Sequence, residues 1–468
     1  DAAGSIHLHR NIASLPSKYL HTFVKYHELR GTVIGGQDTL GRSIDDGLAM
    51  GRKLLAAREY EKAIQCHRLI SLKFPRDVRV YMALGQSFRA LGNRAKMARA
   101  FRRAILLQPD AVEFYYNFGN AERSFYQSLS ATQLYRWAIQ QAPERPEIVT
   151  ALSLTLLQLG EWSAAWPRYE MRESCREFTN QMTKLGKAVW DGKITAGHRI
   201  LLVAEQGAGD AIQFIRYARL LAEAGMIVQV HCPTALERLF AAQPWIHGVS
   251  TKSHPEFDST CLMMSLPYRF GTEPKSIPGD VPYLSWPTPA IASQPNRAPR
   301  VGLVWAGSPS NARDEWRSCP QDAYSKLLEV PGIDFQSLQL GWRKSGDDGP
   351  WSTVAPLSDE VSDYADTAEI IAELDLVISV DTSIAHLAGA LGKPAWVLLG
   401  WHADWRWLGE RADTPWYPGT RLFRMDDNDS GKFGQSNDKN GGKGEGWDEL
   451  LIRVAAALND GTTFQTNS

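Results

Sequence analysis

Apolar and small residues in the first part of the chain recur on a fixed grid. Pro75, Pro109 and Pro143 stand 34 residues apart, and Gly51, Gly85, Gly119 and Ser153 fall on the same spacing. So do Ala63, Met97, Ala131 and Ala165, while Phe101, Tyr135 and Tyr169 form an aromatic column. His67 takes the aromatic place in the first, degenerate copy. The pattern predicts pairs of amphipathic helices. Small residues let the two helices of a pair approach closely, and each proline closes one unit and opens the next.

That period is the one of the tetratricopeptide repeat, and it predicts repeats over 44–177. A helical lead-in over 1–43 (PSKYLHTFVKYHELRG) precedes them. One unit cannot bury its own apolar face, so neighbours must stack. Such an array offers a groove for a protein partner. The alternative is a scaffold that only supports its neighbours.

The pattern changes near residue 190. RILLVA, then QGAGDAIQ, FIRYARLLAEAG and MIVQVHC read as strand, turn, helix and strand, a βαβ unit of a parallel sheet. A second set follows with VGLVWAG, GIDFQSLQ, LVISVD and PAWVLLG as strands. DYADTAEIIAELD and TSIAHLAGALG read as helices between them. The fold class is therefore α plus α/β, an α-solenoid followed by two Rossmann-like units over 178–290 and 291–468. The Pro-, Ser- and Gly-rich stretch 271–300 reads as an interdomain linker, and the polar 426–446 as a mobile loop.

Composition narrows the classes. With 44% hydrophobic and 22% charged residues, the chain is globular rather than fibrous or wholly disordered. No uninterrupted apolar run is long enough to predict a membrane span. The opening DAAGSIHLHRNIAS shows no apolar core of a signal peptide, and Cys66, Cys175, Cys232, Cys261 and Cys319 form no CxxC. A cytoplasmic, reducing location is expected. The net charge of −1 conceals an asymmetry: residues 1–180 hold 25 Lys and Arg against 17 Asp and Glu, the rest 26 against 35. A basic excess spread over helices does not indicate nucleic acid.

In doubly wound sheets, ligands bind beyond the carboxyl ends of strands. Two segments fall there and would face each other across a cleft. In the first, Gly207 and Gly209 permit a tight turn and a close ligand approach, and Asp210 opens a helix as either a reactive carboxylate or a cap. It is not a complete dinucleotide fingerprint. In the second, Asp381, Thr382 and Ser383 lead into a helix whose free amides suit a phosphate, with His386 one turn on. The bland alternative is a capped helix with a core histidine. A third segment, 311–318, offers Arg317 and Ser318 for an anionic leaving group, or is a solvated loop. Trp401, Trp405, Trp407 and Trp416 cluster where either sugar stacking or domain packing would use them, packing being the commoner use. No HExxH and no suitably placed DxD occurs, so no metal is called for and no cofactor is expected, and the lack of GxSxG and Walker A argues against a serine hydrolase and a P-loop enzyme.

Taken as a set, AEQGAGDAIQFIRYARLL (204–221), VGLVWAGSP (301–309), WRSCP (316–320) and 363–400 resemble the heptosyltransferase-type glycosyltransferases of family 9. WSAAWPRYEMR (162–172), SLQLG (337–341) and DWRWLGERADTPWYPGTRLFR (404–424) extend the match. The whole chain resembles bacterial tetratricopeptide-repeat proteins carrying such a domain, a layout shared by flagellin glycosyltransferases and, more remotely, by O-GlcNAc transferases. The resemblance implies a GT-B fold and an inverting, metal-independent transfer from a nucleotide-activated sugar. Asp210 then matches the family's base, and Asp381, Thr382, Ser383 and His386 its diphosphate-binding turn. Arg317 and Ser318 match a basic donor-facing loop, in which Glu315 and Trp316 depart from the usual arginines. Gly207, Gly209, Gln213 and Trp305 lie in matched segments and join the donor-binding set. The first Rossmann-like unit would take the acceptor and the second the donor.

The expected partners are a nucleotide-sugar and a protein acceptor held by the repeats, with an oligomer left open. Two alternatives stand beside this expectation. One is a repeat-based binding protein with an inactive domain, the other a transferase to a lipid-linked or polysaccharide acceptor.

Overall fold

The computed structural model describes residues 43–174, 188–252, 256–287, 297–309, 311, 314–342, 349–400, 403–409, 411–425 and 443–460. The predicted lead-in over 1–43 lies outside them apart from Ser43, and so do residues 426–442 of the predicted mobile loop, Cys175 and Trp401.

Among the described residues, eight helices follow one another in pairs at the start of the chain. They are α1 (Ile44–Ala56) and α2 (Tyr60–Lys73), α3 (Val78–Ala90) and α4 (Arg94–Leu107), α5 (Val112–Arg123) and α6 (Ser128–Gln141), α7 (Pro146–Gln158) and α8 (Trp162–Tyr169). The first helices begin 34 residues apart, as do the second ones. Packing explains the columns. A Cβ on Gly85 would lie 2.7 Å from the Phe101 ring, and one on Gly51 would collide with His67. The small residue thus makes room for the ring of the partner helix, whether the ring is Phe or His. The chain forms two compact units, 1–122 and 123–468. The helices from Ser128 onward therefore share a unit with both sheets.

The first sheet comprises β1 (Ala188–Val189), β2 (Arg199–Val203), β3 (Ile227–His231), β4 (Gly248–Ser250) and β5 (Ser259–Leu262). Its order is β1-β5-β2-β3-β4 and every pairing is parallel. Helices α9 (Ala208–Phe214), α10 (Arg216–Glu223), α11 (Thr234–Ala241) and α12 (Leu266–Arg269) accompany it. The second sheet comprises β6 (Arg300–Val304), β7 (Asp334–Ser337), β8 (Leu376–Val380), β9 (Ala395–Leu399) and β10 (Thr420–Arg424). Its order is β10-β9-β8-β6-β7, again all parallel. Helices α13 (Asp314–Arg317), α14 (Gln321–Leu328), α15 (Tyr364–Glu373), α16 (Ser383–Ala390) and α17 (Lys443–Asn459) accompany it. Strands β8 and β9 are buried at every position, as strands covered on both faces must be. A tetratricopeptide array followed by two Rossmann-like sheets is the GT-B layout expected from the sequence.

Three local expectations need correction. QGAGDAIQ is not all turn, because the helix already starts at Ala208 and the Asp210 carboxylate satisfies the Gly207 amide at 2.8 Å. Residues 443–446, read as loop, begin α17. The linker is no free tether where it is described. Tyr283 is buried, its hydroxyl donates to the Ile212 carbonyl at 2.9 Å, and its amide donates to the Ala390 carbonyl at 3.1 Å. It therefore packs between the two Rossmann-like units. The four described cysteines are buried and unpaired. Among the described residues, no helix is long and apolar enough to cross a membrane.

Candidate functional site

Each sheet changes direction beside its first long strand, which is where a doubly wound sheet leaves a crevice beyond its strand ends. In the first unit the loops after β2 and β5 meet: the Met264 amide donates to Glu205 Oε1 at 3.1 Å. In the second, the loops after β6 and β8 meet: Arg317 Nη1 donates to the Asp381 carbonyl at 3.2 Å. The two loop regions then meet through α9 and α16. A Cβ on Gly209 would lie 2.9 Å from His386 Cδ2 and 3.4 Å from the Ser383 backbone. Gly209 is thus the point at which one turn rests on the other.

Asp210 stands at this junction with its side chain 19% exposed. One carboxylate oxygen accepts from the Gly207 amide and the other from Arg406 Nη2. Burial pushes its pKa up, while the Arg406 guanidinium and the Gly207 amide hold it down. Arg406 lies in the short turn Trp405–Trp407 after β9 and is 6% exposed. Its Nε donates to Gln213 Oε1 at 2.7 Å, and its Nη1 to Asp404 Oδ1 at 2.6 Å. Gln213, placed by the sequence in the donor set, is fully buried and serves this guanidinium.

The second turn is tightly bonded. Thr382 caps α16 by accepting from the Ile384 amide at 3.3 Å, and its hydroxyl also meets Ser379 at 2.9 Å. Ser383 Oγ accepts from Tyr364 at 2.8 Å. Both hydroxyls expected to serve a ligand are therefore used by the fold. His386 is 5% exposed, its Nδ1 lies 2.9 Å from the Tyr417 hydroxyl, and its ring stacks on Trp407 at 5.2 Å. Burial, helped by the charge of Arg406, lowers its pKa to about 3, so it is neutral at pH 7. The Asp381 carboxyl is pushed up to about 6 by burial and by Asp404. Ser318 Oγ accepts from the Gly307 amide and donates to Asp314, both at 2.9 Å, and Arg317 Nε donates to Asp314 at 3.2 Å. Asp314 thus aims Arg317 at the β8 loop.

Trp305 is a correction. Its ring is buried against Trp351 at 4.8 Å, Trp342 at 5.6 Å and Tyr324 at 6.2 Å, in the core of the second unit. The ring is spent on packing rather than turned to a ligand. Trp405, Trp407 and Trp416 are buried too, in the packing role.

Sequence reasoning missed the last repeat's part in the site. Trp162 stacks on Trp416 at 5.4 Å, and Trp166 meets Trp405 edge-on at 5.5 Å. The Trp166 indole donates to the Thr272 carbonyl at 2.8 Å. Gln206, in the left-handed region at φ +62°, donates its amide to the Tyr169 hydroxyl at 2.8 Å. Arg172 binds Glu205 through Nη2 at 2.7 Å and Nε at 3.1 Å. The aromatic column of the repeats therefore ends on the turn that carries Asp210. In the other compact unit, α4 turns Arg94, Lys96, Arg99, Arg102 and Arg103 to solvent, and arginines of this face line a cavity of about 440 Å³. Among the described residues, no group of three His, Cys, Asp or Glu side chains is arranged to hold a metal.

No family model matches the chain. It is similar to Protein FlbA of Caulobacter vibrioides, with 24% identity over 439 residues covering 82% of this chain and 68% of that protein. Among solved structures it is similar to a mutant of the Thermobaculum terrenum O-GlcNAc transferase, at 13% identity and a TM-score of 0.29, covering 91% of this chain and 94% of that one. It is also similar to the E. coli ADP-heptose lps heptosyltransferase II, at 14% identity and a TM-score of 0.33, over 55% of this chain and 99% of that one. It is similar as well to MamA, at 16% identity and a TM-score of 0.28, over 34% of this chain and 89% of that one.

Proposed function

We propose that the chain is a glycosyltransferase that moves a sugar from a nucleotide-sugar to an acceptor with inversion. The observation that carries this reading is the meeting of Asp210 and Arg406 at the junction of two Rossmann-like units, beside the α16 N-terminus. An acceptor hydroxyl attacks the anomeric carbon, its proton passes to Asp210, and the bond to the diphosphate oxygen breaks with its electron pair. A carboxylate whose pKa burial has raised suits the first task. In this reading Arg317, Arg406 and helix amides meet the charge on the leaving group, and no metal is needed. The acceptor we infer is a protein, recruited by the repeats; their direct support of the Gln206 turn favours a link between recruitment and chemistry.

The test is a thermal-shift panel of ADP, GDP, UDP, CMP and their sugar conjugates, followed by label transfer in a lysate. A ligand at about 100 times its Kd adds roughly 2.7 kcal/mol of stability. The reading expects one base to shift the melt, and expects Asp210→Asn to keep that shift while losing transfer. Label appearing in glycolipid instead of protein would move the acceptor to that class. One observation favours an inactive binding protein: Asp210, Thr382 and Ser383 are all satisfied within the fold. A panel with no shift from folded protein would select it.

A further inference from the structure

Every polar arm of Arg406 is engaged, and the partners come from both Rossmann-like units. Nη2 meets Asp210, Nε meets Gln213, and Nη1 meets Asp404. The guanidinium also lies 4.6 Å from the Trp405 ring centroid and 5.6 Å from that of Phe214. Four carboxylates, Asp210, Asp314, Asp381 and Asp404, stand with two cations, Arg406 and Arg317. Arg317 spends Nε on Asp314 and Nη1 on the Asp381 carbonyl. The junction is thus rich in negative charge before any anion enters it.

This arrangement poses a chemical problem for Asp210. Both of its oxygens accept hydrogen bonds, one from a fixed backbone amide and one from a guanidinium. A carboxylate held by Arg is a poorer base, because the ion pair favours its unprotonated form. The Gly207 amide belongs to the backbone that caps α9, whereas Arg406 Nη2 ends a long side chain and is the partner open to exchange. A diphosphate presents the guanidinium with a stronger bidentate acceptor than a single carboxylate oxygen.

We propose that Arg406 exchanges Asp210 for the diphosphate of the donor, so that Asp210 becomes a free base only once the donor is bound. The inference rests on the donor reading above and deepens it. Arg406 is then a positioning and charge-exchanging residue that keeps Asp210 idle until the donor arrives. Donor entry frees the Asp210 oxygen that must take the acceptor proton.

The full chain is titrated by calorimetry with inorganic pyrophosphate, ADP, GDP and UDP. Asp210 and the anion compete for one cation, so Asp210→Asn should bind the diphosphate severalfold tighter than the native chain. Asn keeps the shape of the side chain and an oxygen for the Gly207 amide, so this variant is expected to fold. Arg406→Lys should bind about tenfold weaker or worse, since the bidentate fork is lost. Equal or weaker binding by Asp210→Asn overturns the exchange while leaving the donor site standing, and so does unchanged binding by Arg406→Lys. Failure of every diphosphate to bind both the native chain and Asp210→Asn removes the donor reading and the exchange with it.

Discussion

Arg172 and Glu205 form a two-pronged ion pair, with Nη2 to Oε1 at 2.7 Å and Nε to Oε2 at 3.1 Å, in a place where neither side chain is more than 2% exposed. Arg172 follows the last repeat helix, and Glu205 opens the turn that carries Asp210. Arg172 also donates to Ser265 at 2.8 Å and to Glu170 at 2.9 Å, and its guanidinium lies 4.4 Å from the Tyr169 ring centroid. The end of the repeat array is therefore built into the first Rossmann-like unit rather than attached to it.

Breaking such a pair from one side strands a buried charge. Arg172→Met or Glu205→Leu should each lower stability by about 3–5 kcal/mol. The double variant Arg172→Met/Glu205→Leu should lose clearly less than the sum of the two, because neither charge is then left alone. Urea unfolding of the four proteins measures the coupling. Strict additivity would show that the pair is not an energetic unit.

Trp162 has the same architectural consequence in apolar form. It is fully buried, stacks on Trp416, meets Trp405 edge-on at 6.0 Å, and donates its indole N–H to the Leu157 carbonyl at 3.0 Å. Trp162→Ala should cost about 3–5 kcal/mol. The loss should appear in the cooperative unfolding of residues 123–468 as a whole, with tryptophan fluorescence and far-UV dichroism moving together. An early, separate helical transition would show instead that the last repeat melts alone.

Gly209 offers a probe of the junction between the Rossmann-like units. Its missing Cβ leaves room for His386 Cδ2 and the Ser383 backbone, the second of which cannot turn aside. Gly209→Ala should cost about 1–3 kcal/mol from overpacking. It should also weaken nucleotide binding more than Gly197→Ala, whose position faces open space and is strained only by its backbone at φ +77°. Equal nucleotide affinities in the two variants would separate the α9–α16 contact from the donor site.

The repeats and most strands were legible because their signals are local. A small residue in one helix faces an aromatic residue in the next at a fixed spacing, and continuous apolar runs such as LVISV and AWVLL mark covered strands. Strand β5 was not legible, since Ser259 and Thr260 make it look polar although it is buried throughout. Arg406 was visible only as part of DWRW, a segment just past the end of β9. The position was informative, because that end of a parallel sheet is where ligands bind. Its partners Asp210 and Gln213 lie 196 and 193 residues away, and no local pattern announces such pairings. Thr382 shows the converse: the same residue type serves a phosphate or a cap, and only the hydrogen bonds distinguish the two.

His386 makes the protein acid-labile in a definable window. Its pKa is lowered to about 3, first by burial and then by Arg406, with Arg216 adding to the effect and Asp404 opposing it. In the unfolded chain a histidine titrates near 6.5. The unfolded state therefore takes up the proton first, and the neutral His386 contributes stability that is complete above about pH 6.5. That contribution is lost as pH falls toward 3, by up to about 1.4 kcal/mol per pH unit. Asp381 acts in the opposite sense, since a carboxyl raised to about 6 gains stability on acidification between roughly pH 6 and 4. Comparison with His386→Asn isolates the histidine, because Asp381 is present in both proteins and Asn cannot take up the proton. Urea midpoints measured from pH 7.5 to 4.5 should fall more steeply for the native chain, with the gap opening below about pH 6.5. Parallel curves would mean that His386 is protonated in the folded protein at these pH values, and that the stacked, Tyr417-bonded ring does not exclude the charge.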